Sequence, residues 1–178
     1  LTFINAHMQV KYPNPRNSKF SKWYRDKGLV DWDLSSPVGN SKEWESGFPC
    51  RNTMPGPATA EYSPGDIITF TFENQTYHHG GHCQFSLSYD DKVFGVLNTV
   101  LNDCFIHRLN FEVMLPKNIP SAERATLAWT WVNAYGNREF YMNCIDIKVL
   151  GENFNSTFVA PKLTVANLPG YPVIPEFY

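Results

Sequence analysis

A chain of 178 residues with 43% apolar and only 18% charged side chains has the length for one domain with a sizeable core and is too apolar for disorder. Its formal net charge is −2 and it contains no basic run, which argues against nucleic acid as a partner. No apolar stretch reaches the roughly eighteen residues that a membrane-spanning helix needs.

Leu1 to Ala6 is short and mildly apolar, and Ile4-Asn5-Ala6 fits a small-residue cleavage site. The segment reads either as the remnant of a secretory signal or as an N-terminal extension, and residues 7–178 as one domain. Up to residue 60 alternation is weak, and Pro13, Pro15, Pro37, Pro49, Pro55 and Pro57 break the chain. One short helix is predicted around Ser18 to Lys27, with Gly28 as its stop. The rest of this region reads as long loops, functional or strapped to the core.

From Ser63-Pro64-Gly65-Asp66, a turn, the pattern changes. Ile68, Phe70 and Phe72 alternate with polar residues, then Phe85, Leu87 and Tyr89, up to a turn at Asp90-Asp91. Further strands are predicted over 93–100, over Leu109 to Leu115, over Leu127, Trp129 and Trp131, and over Ile145 to Val149. Trp129 and Trp131 share one face and read as core, with Thr126, Ala128 and Thr130 on the other. The last stretch, with Pro161, Pro169, Pro172 and Pro175, reads as an extended surface tail. Strands recurring without intervening helices predict an all-β fold. The expected architecture is an immunoglobulin-like or fibronectin-like β-sandwich with long loops and one or two short helices.

Cys50, Cys83, Cys104 and Cys144 allow three pairings, and none has the C-x-x-C spacing of a zinc knuckle or thiol redox motif. Two glycosylation sequons begin at Asn74 and Asn155. An even cysteine count with sequons points to the secretory route.

Three of the five histidines, His78, His79 and His82, cluster after a strand, where glycines let the backbone turn sharply. Solvated loop histidines are the plain reading of that cluster, and imidazole suits several metals. His7 adds weight, because it directly follows the candidate cleavage site. As a first residue it offers an α-amine and an imidazole to one metal ion, and a loop imidazole adds a third nitrogen. Nitrogen donors in a tetragonal set favour copper.

Three long stretches carry a resemblance. They are His78-x-Gly80-Gly81-x-Cys83-Gln84 with its continuation, Ala128 to Asn133 followed by Gly136 to Cys144, and Val165-Ala166-Asn167-Leu168-Pro169. In this order they resemble the fungal lytic polysaccharide monooxygenases of auxiliary-activity family eleven, the chitin-active type, from His7 to about Gly170. The resemblance implies copper held by His7 through amine and side chain, by His78, and by Tyr141 in the axial position. It implies Glu139 as a catalytic neighbour beside Tyr141, with Arg138 and Gln84 as further neighbours. His79 is a rival ligand, and His107 reads as structural or surface. The resemblance also implies disulfides Cys50–Cys144 and Cys83–Cys104, contributing about 5 and 3 kcal/mol in the loop-entropy model.

The implied activity is secreted, copper-dependent oxidative cleavage of a polysaccharide, chitin first. It needs an external electron donor and oxygen or hydrogen peroxide, and a monomer is the default. Tyr12, Trp23, Trp32 and Trp44 are candidates to stack on the polymer. With residues 1–6 retained, His7 has no free amine. The alternatives are then a non-catalytic copper- or carbohydrate-binding cell-wall protein on the same fold, or a structural protein with unused histidines.

Overall fold

The computed structural model describes residues 7–39, 47–73 and 76–177; Leu1 to Ala6, Trp44 and Asn74 lie outside them. The elements are β1 (Val10–Tyr12), α1 (Lys22–Asp26), β2 (Ala60–Tyr62), β3 (Ile67–Phe72), β4 (Gly81–Ser88), β5 (Gly95–Val100), β6 (Asn110–Met114), β7 (Ala122–Asn133) and β8 (Tyr141–Val149). They form a three-stranded sheet in the order β1-β3-β6 and a five-stranded sheet in the order β2-β8-β7-β4-β5. The chain is the β-sandwich that the alternation predicts.

Register explains why the sheets face each other. Ile68 pairs with Val113 and Phe70 with Phe111 across β3 and β6, which puts four buried apolar side chains on one face. Trp131 pairs with Tyr141 and Leu127 with Ile145 across β7 and β8. The two inner faces meet in a core that includes Phe70, Phe72, Phe85, Trp129 and Trp131. Phe72 sits at its centre, its ring centroid 5.0 Å from Trp129 and 4.8 Å from Phe105.

Three features depart from the sequence reading. The helix starts at Lys22, because Ser18 to Ser21 is spent on a turn closed by the Ser21 N–H to the Ser18 carbonyl at 3.1 Å. Two three-residue strands are added, β1 within the region read as loops up to residue 60 and β2 starting at its last residue. They are too short to show alternation. The tail is not simply a surface strand. Leu163, Ala166 and Leu168 bury themselves against Ala128, Val132 and Phe140, forming a second core on the outer face of the five-stranded sheet. Thr126, Ala128 and Thr130 are on the opposite face from the tryptophans, as expected, yet are buried too, Ala128 within this second core and Thr126 against Arg16.

Both disulfides form, Cys50–Cys144 and Cys83–Cys104. The first ties the loop-rich N-terminal region to β8. The second ties the start of β4 to the loop before β6. Beside the first bridge lies a buried ion pair. The Arg16 guanidinium donates to both oxygens of Asp146, at 2.9 and 2.7 Å, to Asp91 at 3.1 Å and to Thr126 Oγ1 at 2.9 Å. Burial alone would depress the Arg16 pKa, but Asp146 and Asp91 outweigh it and hold it above the ordinary value.

Replacing Arg16 with Met leaves the Asp146 carboxylate buried with no counter-charge. We expect a loss of about 3–5 kcal/mol in urea unfolding, with partial recovery in the Arg16→Met, Asp146→Leu double variant. A single variant within about 1 kcal/mol of the parent would mean that water or Arg124 replaces the lost cation.

Candidate metal centre

The chain turns sharply ahead of β4. The Gly80 N–H donates to the Tyr77 carbonyl at 2.8 Å, and the two central residues of the turn, His78 and His79, have φ of 42° and 59°. Two successive positive φ values define a mirror-image turn of the kind that leads into a strand. Gly81 follows at φ 142°, and a Cβ there would lie 2.1 Å from the Val132 carbonyl oxygen, so only glycine lets the turn reach β7. The glycines thus serve the turn as the sequence suggests.

His78 Nδ1 lies 2.8 Å from the Tyr135 carbonyl oxygen. A carbonyl only accepts, so Nδ1 carries the hydrogen, and the atom left to act as a donor to a metal is Nε2. That Nε2 is shielded from solvent and has no hydrogen-bond partner among the described residues. A buried acceptor without a donor is costly, and a metal ion satisfies it. The residues present therefore fit a metal at this point.

His7 reaches the same turn from the segment ahead of β1. Its backbone nitrogen donates to the Thr76 carbonyl at 3.4 Å, two residues before His78. Met8 and Val10, which follow it, are fully buried. Among the described residues no three His, Cys, Asp or Glu side chains gather into a metal cluster. A set made of two imidazoles, an amine and a phenol is of a different composition.

Asn133 connects the remaining candidates. Its Nδ2 donates to the carbonyls of Tyr135 and Asn137, each at 2.8 Å, and its Oδ1 accepts the Glu139 N–H at 3.3 Å. The Tyr135 carbonyl thus serves His78 and Asn133 together. Glu139 in turn accepts the Tyr141 hydroxyl at 2.6 Å. The Tyr141 ring is buried against Trp131, centroids 4.7 Å apart. The structure therefore links His78, Glu139 and Tyr141 through one hydrogen-bonded loop.

The other sequence candidates stand elsewhere. Arg138 supports this loop, with Nε donating to the Gly136 carbonyl and Nη1 to the Asn133 carbonyl, each at 3.0 Å. Gln84 clamps the tail, donating to Thr99 Oγ1 at 3.2 Å and accepting the Thr164 N–H at 2.9 Å. His79 is exposed and meets the Tyr135 ring edge-on at 5.6 Å. His82 accepts the Asn102 N–H at Nδ1, and burial pushes its pKa below the ordinary value. His107 is exposed. Tyr12, Trp23 and Trp32 are exposed as surface aromatics. Tyr77 and Tyr135, also exposed and flanking His78, were not anticipated, and neither was the role of the Tyr135 carbonyl.

Burial, then the Glu139 charge and hydrogen bond, push the Tyr141 phenol far above its ordinary value of about 10. The native state keeps this proton where the unfolded chain loses it. Tyr141 therefore contributes stability that is complete below about pH 10 and falls as pH rises beyond it. In an ultraviolet titration compared with Tyr141→Phe, the Tyr141 step should appear only as the fold opens. In Glu139→Gln it should move to lower pH. A Tyr141 step near pH 10 in the folded parent would contradict the Glu139 contact.

No protein-family model matches the chain. AA11 family lytic polysaccharide monooxygenase A of Aspergillus fumigatus is 35% identical over 173 residues, spanning 92% of this chain and 75% of that protein. Monooxygenase B of the same family and species is 29% identical over 168 residues, spanning 82% of this chain but 36% of that protein. The fold is similar to that of a cellulose-active polysaccharide monooxygenase from M. thermophila, with a TM-score of 0.52 and 15% identity over 84% of this chain and 78% of that one. It is similar also to a chitin binding domain from Burkholderia pseudomallei, with a TM-score of 0.53 and 13% identity over 81% of this chain and 99% of that one. Identity at the level of the first relative, over nearly the whole chain, means that the chain belongs to the AA11 family of lytic polysaccharide monooxygenases.

Proposed function

We propose that this chain, with His7 as its first residue, is a secreted copper enzyme that cleaves a polysaccharide by oxidation, and that chitin is its substrate. The observation that carries the reading is the His78 ring. Its Nδ1 hydrogen is committed to the Tyr135 carbonyl, and its buried Nε2 has no hydrogen-bond partner among the described residues. His7 would add its α-amine and imidazole, and Tyr141 its phenol. Family membership supports the reaction type, and the resemblance to the chitin-active type supports the substrate. Two disulfides fit an oxidising compartment.

Bound copper would supply one-electron redox chemistry, with an external reductant and oxygen or hydrogen peroxide as co-reactants. The chain's own residues do the rest. Tyr135 holds the His78 proton and thereby its tautomer. Tyr141, kept neutral beside Glu139, is a weak oxygen donor rather than a phenolate. Glu139, partly exposed, holds a carboxylate where a co-reactant proton can be accepted or returned. Exposed Tyr77 and Tyr135 rings beside His78 offer stacking surfaces to a sugar chain.

A second reading has one observation in its favour. In the chain that begins at Leu1, the His7 nitrogen is a peptide amide that donates to Thr76. An amide nitrogen still carrying its hydrogen is a poor copper ligand, so this form would be a non-catalytic binding protein.

Titration calorimetry on forms starting at Leu1 and at His7 separates the two. The His7 form should bind one copper tightly and release oxidised chito-oligosaccharides when reductant is added; the Leu1 form should do neither. His78→Ala should abolish tight binding. In Gly136→Ala the new Cβ would lie 2.9 Å from His78 Nδ1, and copper affinity should fall by about 10–100-fold. Equal binding by both forms would remove the amine from the site.

A further inference from the structure

The tail ends beside the metal centre. The Phe177 N–H donates to the Ala134 carbonyl at 3.0 Å, and its ring stacks on His82 with centroids 4.1 Å apart and planes 8° from parallel. Between these anchors and Asn167, whose Oδ1 accepts the Ile174 N–H at 2.9 Å, the tail is held at both ends. Glu176 lies within this strap, and its Oε1 accepts the Gly136 N–H at 2.7 Å.

The Gly136 N–H and the Tyr135 carbonyl belong to one peptide group. That carbonyl is the acceptor of the His78 proton. A carboxylate on the N–H side polarises the amide, makes its oxygen a stronger acceptor and fixes the plane in which it points. A stronger acceptor at Nδ1–H raises the donor strength of Nε2 in the same ring. The Gly136 carbonyl, in the next peptide, accepts from Arg138 Nε at 3.0 Å, so Glu176 is the side chain that holds the N–H of the Tyr135–Gly136 peptide.

We propose that Glu176 is a positioning residue of the metal centre, acting on His78 through the Tyr135–Gly136 peptide. The relay runs from a carboxylate in the tail, across one backbone amide, to the imidazole. The C-terminal strap is on this account part of the metal site's scaffold as well as a cover for the sheet. The role in copper binding rests on the reading of His78 as a ligand; the effect on the His78 proton does not.

Glu176 is exposed, so Glu176→Ala removes no buried volume. In the metal-free protein, nitrogen NMR of the His78 ring should show faster exchange of the Nδ1 hydrogen and a mixed tautomer in Glu176→Ala. Glu176→Gln, which keeps an acceptor oxygen, should restore the tautomer. In the His7 form, copper affinity should fall by about tenfold in Glu176→Ala, at the low end for a group behind a ligand, with an altered Cu(II) electron paramagnetic resonance spectrum. An unchanged His78 proton in Glu176→Ala would overturn the relay, whatever copper does. A disturbed proton in a parent protein that binds no copper would keep the relay and discard the copper reading instead.

Discussion

The Arg16 guanidinium and the Asp146 carboxylate meet at 2.7 Å with 2% and 1% of their side chains exposed. Two buried charges persist only when each is fully paired, and here the geometry is bidentate. Asp146 sits in the middle of β8, and its Oδ2 also accepts the Gly56 N–H at 2.8 Å. Arg16 follows β1, and its own N–H donates to the Cys144 carbonyl at 2.8 Å. One carboxylate thus holds down both the segment after β1 and the loop that leads to β2. Without it, a region poor in apolar periodicity would have only the Cys50–Cys144 bridge and scattered contacts to order it. The ion pair specifies where this region lies, and β1, with His7 in the segment just ahead of it, is positioned with it.

From there the structure concentrates its polar order at the opposite end of β7. Asn133 closes the β7–β8 connection on itself by bonding two carbonyls and one N–H of the next six residues. Three bonds from one side chain to the backbone of the connection hold it closed against water. The result is a short rigid bracket with Tyr135 at its outer edge and Glu139 and Tyr141 at its inner end. Rigid backbone supports are what a metal site needs when its own side chains are few.

The parts visible in the sequence are those written as repeating patterns. Strands β3, β6 and the inner face of β7 alternate, so their residues and facing could be read directly. Strands β1 and β2 are three residues each, shorter than any period can establish. The second core was hidden for a different reason. Both faces of β7 are apolar or small, so the outer face gives no sign of being covered until Leu163, Ala166 and Leu168 are seen lying on it. At the site, His7, His78, Glu139 and Tyr141 came from motif order, and the structure brings the last three into one network. The Tyr135 carbonyl could not be read, because a backbone oxygen leaves no trace in residue identity. Glu176 could not be read because it reaches Gly136 from forty residues away, without a pattern between them.

The two proposed imidazole donors are held by different physics. His78 is oriented through hydrogen bonds that end in the Asn133 bracket. His7 has its place from the residues behind it, since Met8 and Val10 are fully buried and the Val10 N–H donates to Asn143 Oδ1 at 2.9 Å. A cut before His7 leaves those anchors intact. It changes the nitrogen from an amide donor into an amine whose proton is lost near neutral pH, at about 7.7–8.0 for an ordinary α-amine. On the proposed reading, the nitrogen's location is a property of the folded sandwich, and its ability to bind metal would be a property of processing. A fold that sets the first independently of the second can be completed in one covalent step.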